Sequence, residues 1–99
     1  MAAECVSFDD DDVRKLRRLP SLEELRLCGP YITDQGLKPL QCLTNVKVLS
    51  FSYTLITDTG LVHLKGLTKL EKLTLSGTLV TGEGRKELQQ ALPNCEIFR

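Results

Sequence analysis

A 24-residue period in the large apolar residues constrains the fold of this chain more than any other sequence feature. When the sequence is compared with itself at that offset, apolar residues recur at the same phase in column after column. The matching columns are Leu22/Val46/Leu70, Leu25/Leu49/Leu73, Leu27/Phe51/Leu75, Phe8/Ile32/Ile56/Val80, Val13/Leu37/Leu61, Leu16/Leu40/Leu64/Leu88 and Leu19/Leu43/Leu67. Because random apolar composition does not keep phase in so many columns, the chain is predicted to consist of structural repeats.

Each period contains two spacings that are typical of different secondary structures. The segment 70–75 ends in the alternation of a short strand, whereas the segment 61–67 has leucine at every third position, which indicates a helix. One strand-helix unit cannot bury its apolar face alone, so successive units are expected to stack. The strands then form a parallel sheet and the helices line its other side. The predicted fold class is therefore an α/β solenoid.

Two motifs carry a family resemblance. The segments 22–27, 46–51 and 70–75 resemble the strand motif of leucine-rich repeats, and the phrase Ile-Thr-Asp-x-Gly-Leu at 32–37 and 56–61 resembles its second half. The resemblance covers residues 8–98. It implies a short horseshoe fragment with the parallel sheet on the concave side and the helices on the convex side.

The position after each strand bears on the type of repeat. The phrase is similar to the cysteine-containing repeats of F-box proteins, which run about two residues longer and carry Asn or Cys at this position. Here the position holds Pro30, Thr54 and Thr78. The Gly77-Thr78 pair resembles instead the 24-residue repeats of bacterial proteins, and no F-box segment precedes the repeats. The resemblance is therefore closest to the bacterial type.

The length of 99 residues fits one domain, and the period divides that domain into units. We expect an N-terminal half-repeat at 1–18, repeats at 19–42, 43–66 and 67–91, and a closing strand at 92–99. Counting back one period from the first strand reaches the first residues of the chain, so the first helix is predicted to lack a strand of its own.

Three irregularities shape the predicted helices. The acidic run 9–12 lies where the first helix begins, and negative charge there is favourable by about 0.3 to 1 kcal/mol per group, so capping is preferred to an acidic docking patch. Pro39 removes an amide donor inside the second helix, which should be short, kinked or partly 3₁₀. In the third helix Arg85 replaces the repeat leucine, which indicates that the solenoid is ending.

The charge balance argues against some classes of partner. Thirteen basic residues match thirteen acidic ones, so the chain lacks the long-range positive field that non-specific binding to nucleic acid or anionic membranes needs. There is no export signal among the first residues and no apolar run long enough to span a membrane. We expect a cytoplasmic protein that binds neither nucleic acid nor membrane.

Cysteine and histidine usage favours neither a metal nor a cofactor. The cysteines are Cys5, Cys28, Cys42 and Cys95, and the only histidine is His63. Four cysteines could pair in three ways, but without an export signal free thiols are the preferred interpretation. Their spacing does not fit a zinc site. His63 falls between inward leucines and should point to solvent on the helical side.

The candidate binding site consists of the side chains that point outward from the sheet. Residues between the leucine columns should face the concave side, and Tyr53 should stand at the rim beside them. The candidate residues are Glu24, Arg26, Cys28, Val48, Ser50, Ser52, Tyr53, Lys72, Thr74 and Ser76. A second row, Glu23, Lys47 and Glu71, alternates in charge and is interpreted as stabilising the sheet.

These features predict a non-enzymatic module that binds another protein through the concave face and the adjacent rim. Catalysis is not expected, because no nucleophile, base and orienting acid occur together. Two alternatives stay open: a structural unit that self-associates through an exposed edge of the strand 22–27, and a fragment of a longer repeat protein.

Overall fold

The computed structural model describes the backbone of residues 2–99 and the side chains of residues 8–99. Strands and helices alternate along the chain, as expected for an α/β solenoid. The strands are β1 (Ala2–Ser7), β2 (Glu24–Cys28), β3 (Val48–Ser52), β4 (Lys72–Ser76) and β5 (Glu96–Phe98). The α-helices are α1 (Asp10–Lys15), α2 (Asp34–Leu40) and α3 (Gly82–Ala91), and the 3₁₀ helices are Leu16–Arg18 and Asp58–Leu64.

The five strands form one parallel sheet in the order β1-β2-β3-β4-β5. In the centre of the sheet the register follows the sequence period, because Glu24 pairs with Val48 and Val48 pairs with Lys72, each 24 positions later. The predicted fold class is confirmed, and β5 lies beside β4 at the end of the sheet.

The prediction that the first helix lacks a strand was wrong. β1 precedes α1 and pairs with β2, so the edge of β2 is covered by a neighbour. Ala2 pairs with Glu24, 22 positions later, whereas Val6 pairs with Leu27, 21 positions later. The register shifts between the two pairs. Because neither offset is 24, comparison at the repeat period could not detect this strand.

The repeat columns form a single core between the sheet and the helices. Burial alternates along β2 and β3, with Leu25, Leu27, Leu49 and Phe51 at most 1% exposed. Leu19 departs from its column, since it is 38% exposed while its counterparts in the next two repeats are buried. Sequence periodicity therefore identified nearly all of the core.

The helices differ between repeats because their sequences impose different geometry. α2 has seven residues and contains Pro39, so the prediction of a short second helix is confirmed. The next helix, Asp58–Leu64, is 3₁₀ instead of α. Its three-residue leucine spacing suits a helix with about three residues per turn.

An aspartate-threonine pair links each loop to the loop one repeat earlier. The threonine before each helix donates its N–H and its hydroxyl to the aspartate of the preceding repeat, and it also caps its own helix. The N···O distances are 2.8–2.9 Å and the O···O distances 2.5–2.6 Å. The pairs are Thr33 to Asp10, Thr57 to Asp34 and Thr81 to Asp58. The Ile-Thr-Asp-x-Gly-Leu phrase is thus a device for stacking.

The glycine of that phrase makes room for the carboxylate. A Cβ added to Gly36, Gly60 or Gly84 would overlap the side chain of Asp10, Asp34 or Asp58, respectively. All three glycines are buried. The phrase therefore needs both residues, an acid to accept the bonds and a glycine to let it approach.

The acidic run before α1 caps the helix, as predicted. The Asp9 side chain accepts from the Asp12 N–H at 2.8 Å, and the Asp12 side chain accepts in return from the Asp9 N–H at 3.1 Å. This reciprocal capping box satisfies two of the free amides at the start of the helix.

Candidate functional site

The candidate residues on the sheet lie in three rows on the face opposite the helices. Parallel register places each residue beside its counterpart in the next strand, so the predicted rows are confirmed as neighbours. The rows are Glu24–Val48–Lys72, Arg26–Ser50–Thr74 and Cys28–Ser52–Ser76. All nine are half-buried or exposed, whereas the leucines between them are buried.

β5 extends this face by two residues that the sequence analysis missed. Glu96 pairs with Lys72, and Phe98 pairs with Thr74. Phe98 is 50% exposed and adds a large apolar side chain to this face. The signal was present, because both residues lie 24 positions after a candidate residue.

Cys28 requires a correction. It forms a disulfide, so the expectation of a free thiol at this position was wrong, whereas Cys42 and Cys95 are free. Cys28 ends β2 beside β1, the strand that the repeat period does not predict. Cys5 lies outside the residues whose side chains are described. The row that begins at Cys28 is therefore a covalently constrained part of the face.

Cys95 is an inert core residue. Its thiol is buried, and burial together with the neighbouring Glu96 charge raises the pKa of Cys95 to about 11. A thiol with so high a pKa remains protonated at neutral pH and is a poor nucleophile.

Tyr53 has an unusual backbone for an aromatic residue. Its φ is 57°, in the left-handed region, and the residues one repeat away in either direction, Gly29 and Gly77, also have positive φ, at 112° and 66°. Glycine adopts this region freely, whereas other residues do so at a cost of about 1–2 kcal/mol. The Tyr53 side chain is 75% exposed and lies over Gly77, where a Cβ would come within 2.6 Å of the ring.

Exposed apolar side chains also occur in the loops along the same rim, and they were not predicted from the sequence. Tyr31, Leu55 and Leu79 occupy the same position in successive loops and are 66%, 48% and 57% exposed. The loops are held together by backbone bonds, with the Leu55 N–H donating to the Ile32 carbonyl at 2.8 Å and the Leu79 N–H to the Ile56 carbonyl at 2.9 Å. We call these three residues and Tyr53 the apolar rim.

The signal for the apolar rim lies in the sequence. At each of these loops two large apolar residues are adjacent, Tyr31-Ile32, Leu55-Ile56 and Leu79-Val80. The second residue of each pair is buried, so the first cannot face the same core and must be exposed.

The row Glu23, Lys47 and Glu71 is partly paired. Lys47 Nζ lies 3.9 Å from a Glu23 carboxylate oxygen, and both side chains are about half exposed. Such pairs stabilise by at most about 1 kcal/mol, which agrees with a structural role.

His63 lies on the helical side, as predicted, but it is half-buried and bonded. The Gln41 side-chain nitrogen is 2.6 Å from His63 Nδ1. Among the side chains of residues 8–99, no three His, Cys, Asp or Glu residues gather where they could share a metal ion. Within the described part of the chain, no helix is both long and apolar enough to cross a membrane.

A stacked parallel sheet with one solvent-facing side and one helical side defines the chain as a short solenoid of the binding-domain type. The leucine rich repeat family model matches residues 20–80, more than half of the sequence. The chain therefore belongs to the leucine-rich-repeat family, whose domains are generally non-enzymatic modules for protein-protein interaction. A search of curated proteins found no match.

Proposed function

We propose that the protein is a non-enzymatic interaction module whose protein partner contacts the concave face and the apolar rim together. The observation that carries this proposal is the tyrosine in a column of glycines. Tyr53 adopts a backbone conformation that costs stability, yet its side chain is three-quarters exposed and contributes little to the core. Contact with a partner would explain why an exposed tyrosine occupies this position, whereas the stability of the fold does not.

The apolar rim supports the same partner site. Exposed apolar side chains that are contiguous, unlike scattered ones, are typical of interaction surfaces. Tyr31 and Tyr53 are of the residue type that dominates binding energy in interfaces, because the ring is apolar and the hydroxyl can still form hydrogen bonds. The rim therefore supplies the apolar anchors, and the small polar residues of the sheet allow close approach.

The concave rows offer the partner a polar surface with mixed charge. One row runs Glu24, Val48, Lys72 and Glu96 across β2 to β5, so an acidic residue lies on each side of Val48 and Lys72. In the next row Arg26 pairs with Ser50, which pairs with Thr74. Mixed signs at a rim or floor contribute to specificity more than to affinity. We infer that the partner carries complementary charges in this row.

The type of repeat is also a proposal. We propose that the repeats are of the 24-residue bacterial type related to the cysteine-containing subfamily, since successive strands pair at an offset of 24. At the position where F-box repeats carry Asn or Cys, the Thr78 hydroxyl donates to the Leu75 carbonyl at 2.9 Å. The buried Thr54 hydroxyl, one repeat earlier, has no such partner within the described residues, so the role is specific to Thr78.

The unit boundaries 1–18, 19–42, 43–66, 67–91 and 92–99 and the cytoplasmic location stay predictions. Free thiols were expected because no export signal was recognised, and the disulfide at Cys28 counts against the reducing compartment that this expectation assumed. The alternative of self-association depended on an exposed edge of the strand 22–27. That edge is not exposed, because β1 pairs with it.

Affinity capture with matched variants tests the proposal. The immobilised domain would be compared with Tyr53→Ala and Arg26→Glu, and with Val62→Ser as a control, because Val62 is 53% exposed on the helical side. A specific partner should be retained by the original domain and by the control, and its retention should fall about tenfold in the other two variants. Thermal unfolding of each variant checks that it is folded.

Two results would contradict the proposal. One is equal capture by all four proteins, which would mean that neither the concave face nor the rim contributes. The other is loss of capture only in Val62→Ser, which would move the interface to the helical side.

A further inference from the structure

The balanced net charge hides a separation of charges near the N-terminus. Four consecutive aspartates, 9–12, are followed within two residues by the basic run Arg14-Lys15-Leu16-Arg17-Arg18. The carboxylates are engaged within the fold: Asp9 and Asp12 form the capping box, Asp10 accepts from Thr33, and Asp11 pairs with Arg14 at 2.9 Å. Of the basic side chains that follow, Arg14 has this partner, whereas Arg17 has no ion-pair partner within residues 8–99.

Two of these basic side chains, Arg14 and Arg17, line a groove on the helical side. The groove lies between α2 and the segment formed by α1 and the 3₁₀ helix Leu16–Arg18. It has a volume of about 590 Å³ and is open to solvent. Its lining residues are Arg14, Arg17, Asp34, Gln35, Lys38, Pro39, Cys42 and His63. Lys15 and Arg18 line an adjacent hollow with Arg14 and Arg17. We call the first of these the cationic groove.

The lining of the cationic groove carries more positive than negative charge, with Arg14, Arg17 and Lys38 against Asp34. The two carboxylate oxygens of Asp34 accept from the Thr57 N–H at 2.8 Å and the Thr57 hydroxyl at 2.5 Å, which fixes the carboxylate while its negative charge remains. Within residues 8–99, neither Arg17 nor Lys38 has an ion-pair partner. The two opposite walls of the groove therefore each present a free positive charge.

Polar side chains complete the lining. The His63 ring lies in it, with Nδ1 2.6 Å from the Gln41 side-chain nitrogen. Gln35 adds an exposed amide. A groove with cations on both walls and N–H donors beside them is suited to carboxylates, which arginine can bind through two parallel hydrogen bonds.

We propose that the cationic groove is a second binding site, and that its ligand is an acidic segment of a polypeptide. A groove between two helices accommodates an extended chain, whereas a flat lipid surface would not enter it. Nucleic acid is disfavoured because the lining contains no aromatic ring other than His63 on which bases could stack, and because the chain has no net positive charge. This site is separate from the concave face and does not depend on the proposed function.

Direct binding of an acidic probe tests the proposal. Fluorescence anisotropy with a labelled octaglutamate peptide would compare the intact chain with the double variant Arg17→Glu/Lys38→Glu. The control is Lys65→Glu/Lys86→Glu, which changes the net charge equally at two exposed lysines outside the groove lining. Reversal in the groove should weaken binding about tenfold, as expected for loss of two exposed charge pairs, and the control should stay within about twofold.

The outcomes separate the proposal from its rivals. An equal loss in both double variants would show an effect of net charge alone and would overturn the site, as would absence of binding by the intact chain at low salt. Phosphatidylserine vesicles and a single-stranded oligonucleotide serve as further probes. If either binds more tightly than octaglutamate, the ligand class is wrong.

Cys42 provides an independent measurement of the groove. Its thiol is exposed and free in the lining, whereas Cys95 is buried. A methanethiosulfonate reagent forms a mixed disulfide when the thiolate displaces sulfinate, and reagents with anionic and cationic tails report the local potential. The anionic reagent should modify Cys42 faster, the preference should disappear in Arg17→Glu/Lys38→Glu, and octaglutamate should slow the reaction. A Cys42→Ser variant identifies the reacting thiol, and equal rates for the two reagents would overturn the proposal.

Discussion

Substitution of Tyr53 by glycine and by alanine should separate the role of the ring from the cost of the backbone. In the left-handed region alanine carries a penalty of about 1–2 kcal/mol that glycine does not. Glycine loses about 0.5–1 kcal/mol through the greater freedom of its unfolded chain. At φ 57° the first effect exceeds the second, so Tyr53→Gly should be more stable than Tyr53→Ala by about 0.5 to 1 kcal/mol.

Loss of the ring has its own effect on stability, which both variants share. Tyr53 is 75% exposed, so only about 50 Å² of a tyrosine surface is buried, worth about 1 kcal/mol. Tyr53→Ala should therefore unfold more easily than the original domain by about 1 kcal/mol. In Tyr53→Gly the relief of backbone strain offsets most of this loss, so its stability should lie close to the original.

Denaturant and thermal unfolding measure these differences, since about 1 kcal/mol shifts the midpoint of a domain of this size by roughly 4–8 °C. Ser52, the preceding residue in β3, supplies a matched control at an ordinary backbone position, where Ser52→Ala should be more stable than Ser52→Gly. If alanine is also the more stable substitution at position 53, the strain argument is refuted. Both Tyr53 variants should bind the partner equally weakly, because both lack the ring.

Three further predictions concern the stacking of repeats and the disulfide. Gly60→Ala should destabilise the fold by about 1–3 kcal/mol, because its Cβ meets the Asp34 carboxylate, whereas Gly66→Ala, with open space around its Cβ, should be neutral or slightly stabilising in the same unfolding assay. The hydrogen bonds from Thr81 hold the pKa of Asp58 below its ordinary value of 3.8. The stability that they add is therefore present above pH 3.8 and is lost as the pH falls through the lower pKa of the folded state. Thr81→Val should reduce the acid dependence of unfolding, and an unchanged pH profile would contradict this. Reduction of the Cys28 disulfide should lower the free energy of unfolding by about 2–4 kcal/mol. Cys42→Ser, at a free and exposed thiol, should have little effect. An unfolding midpoint that does not change with reductant would count against the disulfide.

The central part of the fold was predictable because parallel stacking repeats the same environment. Leu25 pairs with Leu49, and Leu49 pairs with Leu73, so the core of β2, β3 and β4 appears in the sequence as columns. The outward rows follow by alternation along each strand. The same reasoning, carried one period further, would have included Glu96 and Phe98.

β1 and the disulfide escaped prediction for a physical reason. Strand pairing is made by the backbone and does not require leucines, and β1 pairs at offsets of 22 and 21 positions. Since no strand was expected beside β2, a bonded cysteine at position 28 was not expected either. The cationic groove was missed because charge was counted over the whole chain, and a balanced total does not show where basic side chains gather on the surface.

The residues that follow the repeat and those that break it carry different information. Threonine, aspartate and glycine recur in phase because each stacks one loop on the next, as Thr57, Asp34 and Gly60 do, and they would be needed by any repeat of this kind. Tyr53 in a glycine column and Phe98 in the polar row of Arg26, Ser50 and Thr74 have no such requirement. Stacking therefore accounts for the regular positions, and the partner is to be sought at the irregular ones. On this basis Phe98→Ser, at a half-exposed position, should weaken partner binding more than it affects unfolding.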